Sequence, residues 1–68
     1  MSIEPSKPTA ADLERALGKL PQLQRRAFLL AAGEGLPYPA AAKRLGVSVT
    51  RFEDVLAEAI ASLDRALS

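Results

Sequence analysis

Neither cysteine nor histidine occurs anywhere in the 68 residues. That double absence removes disulfide frameworks, the usual zinc sites, thiol nucleophiles and the commonest general base together. No catalytic residue, metal site, cofactor or small-molecule substrate is therefore expected, and an enzyme is the least expected reading. Long apolar runs are missing too. The longest, Ala27 to Ala32, falls far short of the ~20 residues that span a bilayer, and no basic-apolar-small leader opens the chain. The expectation is a soluble cytoplasmic protein with no membrane contact. A chain this short buries only ~60% of the surface it exposes when unfolded, which leaves room for a single core.

Charge of one sign is scarce at each end in turn. Residues 1 to 47 carry seven basic residues (Lys7, Arg15, Lys19, Arg25, Arg26, Lys43, Arg44) against four acidic ones, a net charge of +3. Residues 48 to 68 reverse the sign: Arg51 and Arg65 stand against Glu53, Asp54, Glu58 and Asp64, a net charge of −2. The overall +1 conceals this asymmetry.

The periodicity predicts four helices and no strand. Residues 1–8, with two prolines and little apolar content, read as a disordered tail before a domain over residues 9–68. Thr9 and Asp12 form an N-cap signal, followed by Leu13, Ala16, Leu17 and Leu20 at helical spacing over about Ala10 to Lys19. Pro21 suits only a helix start, so it divides this helix from a second with an inner stripe of Leu23, Ala27, Leu30 and Ala31; Arg25 and Arg26 then fall on the wet side. Gly33 and Gly35 end it. A short third helix runs through Ala40–Leu45 to Gly46. Ser48 or Thr50 caps a last helix reaching about Leu67, with Phe52, Leu56, Ala59, Ile60, Leu63 and Leu67 as its apolar stripe. Phe28, Tyr38 and Phe52 lie on or beside apolar stripes and are expected in the core.

The most specific segment is Ala41 to Ser48. Ala42 is small enough for two helices to approach, Gly46 four positions later supplies a tight turn, and Phe52 plugs the space between them. This spacing reads as a helix-turn-helix. An αα-hairpin with no nucleic-acid role fits the spacing equally well.

The likeness extends beyond that motif. Leu20-Pro21, Gln24-Arg25, Glu34-Gly35-Leu36, Tyr38, Ala42 and Arg44-Leu45-Gly46-Val47-Ser48 follow in the order and spacing of region 4 of the sigma-70 family, of the extracytoplasmic-function type. The chain resembles that family over nearly all of residues 10–67. The resemblance implies an all-α, four-helix domain with a helix-turn-helix in bacterial transcription regulation. In the family the last helix enters the major groove of the −35 promoter element while its neighbours contact phosphates and RNA polymerase. Carried over, Arg25, Lys43 and Arg44 would meet phosphates, and Thr50, Arg51, Asp54, Val55 and Glu58 would face the bases.

This sequence departs from the family where the helix should be basic. Glu53, Asp54 and Glu58 occupy its first turns, and only Arg51 could read guanine there. An acidic helix in the groove would be repelled where binding needs neutralised phosphates. The run Phe52 to Ile60 is similar to the end of the sigma-like output domain of PhyR-type stress-response regulators, which mimic a sigma factor and sequester an anti-sigma factor. No receiver domain and no region 2 is present, so an excised piece or a stand-alone relative is expected. The residues expected to meet a protein partner, an anti-sigma factor or an RNA polymerase subunit, are Leu29, Glu53, Asp54, Val55, Glu58 and Ile60. Leu29, Val55 and Ile60 flank the main stripes and would form an exposed apolar patch, ordinary burial being the alternative. The competing reading is a −35 DNA-binding domain using Arg25, Lys43, Arg44, Thr50 and Arg51. Glu53 and Asp54 also have an internal explanation: with Thr50 as N-cap, Glu53 closes a capping box and both carboxylates favour the helix dipole.

Overall fold

The computed structural model describes residues 9–67, and the expected tail over residues 1–8 lies outside them. Four helices follow one another: α1 (Ala10–Gly18), α2 (Gln22–Phe28), α3 (Tyr38–Leu45) and α4 (Val49–Leu67). No strand occurs among the described residues. The Thr9 hydroxyl accepts the Asp12 N–H and the Asp12 carboxylate accepts the Thr9 N–H, so α1 opens on a complete capping box. Pro21 separates α1 from α2 with a backbone φ of −54°.

The end of α2 is not a simple stop. Its chain continues through a wider π turn over Leu29–Gly33, in which the Glu34 N–H reaches back five residues to the Leu29 carbonyl at 2.9 Å. Gly35, at φ +68°, then lets the Leu36 N–H bond the Leu30 carbonyl. Pro37 and Pro39 open α3, as their fixed φ suits a first turn. Gly46 ends α3 at φ +86°, with its own N–H and that of Val47 both donating to the Ala42 carbonyl.

α4 packs against each of the other three helices, and its buried stripe joins two apolar clusters. Ala27, Leu30, Ala41, Ala42, Leu45, Phe52, Val55 and Leu56 form the first, between α2, α3 and α4. Ala16, Leu17, Leu20, Ala59 and Leu63 form the second, between α1 and α4. Phe28 lies half-buried against both. Phe52 is fully buried, and the exposed Tyr38 ring rests edge-on against it, with centroids 5.4 Å apart. Of the three aromatics expected in the core, Phe52 is wholly there, Phe28 partly, and Tyr38 only by its edge.

On α4, Val55 departs from its expected exposed flank, whereas Ile60 takes that flank and not the buried stripe. Val55 is buried, at 1% exposure, so it is core and offers nothing to a partner. Ile60, placed in the apolar stripe by spacing alone, is 49% exposed. At about 100° per residue, Phe52, Leu56, Ala59 and Leu63 define one arc; Val55 lies at one flank of it and Ile60 at the other. The packing of α2 and α3 closes over the Val55 flank and leaves the Ile60 flank open.

Candidate functional site

The helix-turn-helix geometry follows from the three residues that suggested it. Ala41 and Ala42 are buried with almost no side chain between α3 and α4, Gly46 takes the left-handed turn, and Phe52 fills the angle behind it. α4 is thereby presented on the surface with its outer face free.

The cap of α4 is Ser48. Its hydroxyl accepts the Arg51 N–H at 3.1 Å, which makes Thr50 the second helical residue and Arg51 the third. Of the two candidate caps the helix uses Ser48, so the box that Thr50 would have formed with Glu53 is absent, and α4 has no acidic residue in its first turn. Glu53 and Asp54 lie past the region where the dipole acts strongly. Both are exposed and have no ion-pair partner among the described residues. Glu58 is tied more firmly: the Gln24 amide on α2 donates to its carboxylate at 3.4 Å, a contact across 34 residues of sequence. The acceptor-only carboxylate fixes which way that amide points, and the Gln24 oxygen is left buried without a partner among the described residues.

Helical geometry divides the acidic residues into two rows. Asp54 and Glu58 share one side of the outer face, while Glu53 and Asp64 share the other beside Ile60. Between the rows run the small exposed side chains of Thr50, Ala57 and Ala61.

The apolar patch expected from Leu29, Val55 and Ile60 does not form. Val55 is interior. Ile60 lines a groove with Leu13, Phe28, Leu63 and Leu67, rimmed by Asp64. Leu29, 44% exposed, lines a different cleft with Arg26, Leu30, Glu34 and Arg44.

Among the basic residues, Arg25 is half-buried and not on the wet side. Its guanidinium donates to the Leu20 carbonyl at 3.3 Å and so holds α2 to the connection that precedes it. Arg44 pairs with Glu34 at 3.7 Å, both side chains more than half exposed. Lys43, Thr50 and Arg51 are exposed on the last turn of α3 and the first of α4, on either side of the turn. Two side chains that join separate elements, Gln24 and Glu34, were not singled out for those contacts in the sequence. Gln24 and Glu34 carry no local signal of their contacts, whereas Arg26 was visible as one of a basic pair.

No helix among the described residues is long and apolar enough to cross a membrane, and they contain no group of three or more acidic, histidine or cysteine side chains placed to hold a metal ion.

A four-helix domain whose third and fourth helices form a helix-turn-helix is the architecture of a transcription-regulatory module. Residues 10–63 match the family model described as "Sigma-70, region 4", and the chain belongs to that family. No curated protein and no solved structure shows significant similarity to it. Membership places the chain in a regulatory, non-enzymatic family with a sigma-factor-like role in transcription, whose domains contact RNA polymerase, anti-sigma factors or DNA.

Proposed function

We propose that this domain acts in bacterial transcription regulation by protein contact, as a sigma mimic that offers the outer face of α4 to an anti-sigma factor. The observation that carries this reading is the character of that face. Glu53 and Asp54 are exposed, lie beyond the first turn and have no ion-pair partner among the described residues, so neither capping nor pairing accounts for them. Asp54 and Glu58 are like charges one turn apart, an arrangement that lowers helix stability by a few tenths of a kcal/mol. A partner with basic groups would relieve that repulsion. The two carboxylate rows provide rails for such groups, and the small residues between them allow close approach. Ile60 borders one row and would add an apolar contact. The resemblance of Phe52 to Ile60 to PhyR-type output domains supports the same reading and suggests a part in stress response. Cytoplasmic location follows from this role.

The second reading is −35 DNA binding, supported by the exposure of Lys43, Thr50 and Arg51 at the turn. Fluorescence anisotropy of a labelled −35-type duplex separates the two. We expect weak retention at low salt and none at physiological salt. Replacing Glu53→Lys with Glu58→Lys should raise DNA affinity about tenfold or more by removing repulsion and adding phosphate contacts. Tight, sequence-dependent binding by the unaltered domain would establish the DNA reading instead.

A further inference from the structure

The cleft around Leu29 lies outside the α4 surface and joins Leu29, expected with the partner residues of α4, to Arg44, expected among the phosphate contacts. We propose that it is a docking site for an amphipathic helical segment of a protein partner, one that carries an aliphatic residue one turn from an Asp or Glu.

Three features of the chain converge there. The π turn over Leu29–Gly33 ends α2 at Leu29, which lies off the buried stripe of that helix and is 44% exposed. Gly33 adds to this: a Cβ at that position would come within 3.8 Å of the Leu29 Cδ2, so the glycine leaves that side of the leucine uncovered. Turns of this kind occur often at functional sites.

The second feature is charge. Arg26 on α2 and Arg44 on α3 line the cleft with Glu34 as the sole carboxylate among its lining residues, giving one uncompensated positive charge. Arg26 has no ion-pair partner among the described residues, and the Arg44–Glu34 pair is open to water and therefore weak. Guanidinium groups favour planar, bidentate acceptance by carboxylates. An incoming Asp or Glu can take Arg26 directly and compete with Glu34 for Arg44.

The third is size. The cleft holds 290 Å³, at the lower limit of the ~300–1,000 Å³ typical of small-molecule sites, and is lined by Leu29 and Leu30 on its apolar side. That space suits one or two side chains of a peptide. A DNA backbone fits it poorly, because phosphates offer nothing apolar to cover Leu29 and would meet the Glu34 carboxylate.

The test uses the full chain, isotope-labelled, titrated with a synthetic helical peptide bearing one leucine with glutamates one turn before and after it. A control peptide has lysines in place of the glutamates. Amide shifts should map to Leu29–Glu34 and Arg44, and the lysine peptide should not bind. Leu29→Ser and Arg44→Glu should each weaken the glutamate peptide about tenfold. Glu34→Gln, which removes the internal competitor, should tighten it about two- to fivefold. Lys19→Glu, placed elsewhere on the surface, should change nothing, and circular dichroism verifies that each variant is folded. The proposal is overturned by equal binding of the lysine peptide, by shifts confined to the Leu13–Ile60 groove, by a loss of affinity in Glu34→Gln, or by a duplex oligonucleotide displacing the peptide from these same amides. Because Glu53 and Glu58 are not involved, the double variant Glu53→Lys with Glu58→Lys should bind the peptide unchanged, which keeps the fate of this site separate from that of the α4 face.

Discussion

Asp12 is the residue whose ionisation the fold most clearly uses. The Thr9 backbone N–H and then the Thr9 hydroxyl hold its carboxyl below the ordinary value of 3.8, with the nearby Arg15 guanidinium adding a smaller pull in the same direction. A folded-state value below the unfolded one means that the charged form is favoured by folding. The contribution is complete above 3.8 and disappears as pH falls through the lower folded-state value. Asp12→Ala should therefore melt below the unaltered domain at neutral pH, with the gap closing as the solution is acidified. Thermal melts monitored by circular dichroism across the acid range check this, and a gap that persisted at the lowest pH would place Asp12's role in packing instead. Thr9 and Asp12 were legible in the sequence because a capping box is local: the two side chains and two N–H groups lie within one turn.

At the scale of the element, the start of α4 shows how a single position alters an argument. Ser48 and Thr50 are both good caps, and no local rule chooses between them. The structure chooses Ser48, because the turn set by Gly46 brings the chain into helix at Val49. Glu53 thereby loses its internal explanation and becomes a surface carboxylate. Ser48→Ala should lower stability by about 1 kcal/mol, whereas Thr50→Ala should stay within about 0.5 kcal/mol. Urea titrations of the two variants measure both, and the reverse order would restore the Thr50–Glu53 box. The end of α2 was less legible still. The glycines at 33 and 35 announced a stop but not the widened turn before it, in which the Glu34 N–H bonds the Leu29 carbonyl and the Leu36 N–H then bonds the Leu30 carbonyl.

At the scale of the whole molecule, the domain has two apolar clusters, and α4 and Phe28 are what make them one unit. Phe28 is half-buried, yet it touches both clusters. Phe28→Ala should cost about 2–3 kcal/mol and broaden the denaturant transition, as α1 then loosens ahead of the remaining helices. Full loss of helix in one sharp step at unchanged midpoint would show that α4 alone couples the clusters. Division also applies to charge. α2 and α3 carry four basic residues and no acidic one, whereas α4 carries four carboxylates against Arg51 and Arg65.

What the sequence determined by itself was set by short-range physics. Helix number, the capping box at Thr9, the turn at Gly46 and the Ala42–Phe52 packing all depend on residues within about ten positions of one another, where spacing and backbone freedom suffice. The reversal of charge between the two ends is likewise a property of the chain alone. Tertiary structure decided which flank of α4 is covered, since Val55 and Ile60 are equally apolar neighbours of the same stripe and only the crossing of α2 and α3 buries one and exposes the other. It also decided that Gln24 meets Glu58 and that Arg26, Leu29, Glu34 and Arg44 share a cleft. Those contacts join separate elements, and periodicity within a helix fixes the direction of a side chain without saying what stands opposite it.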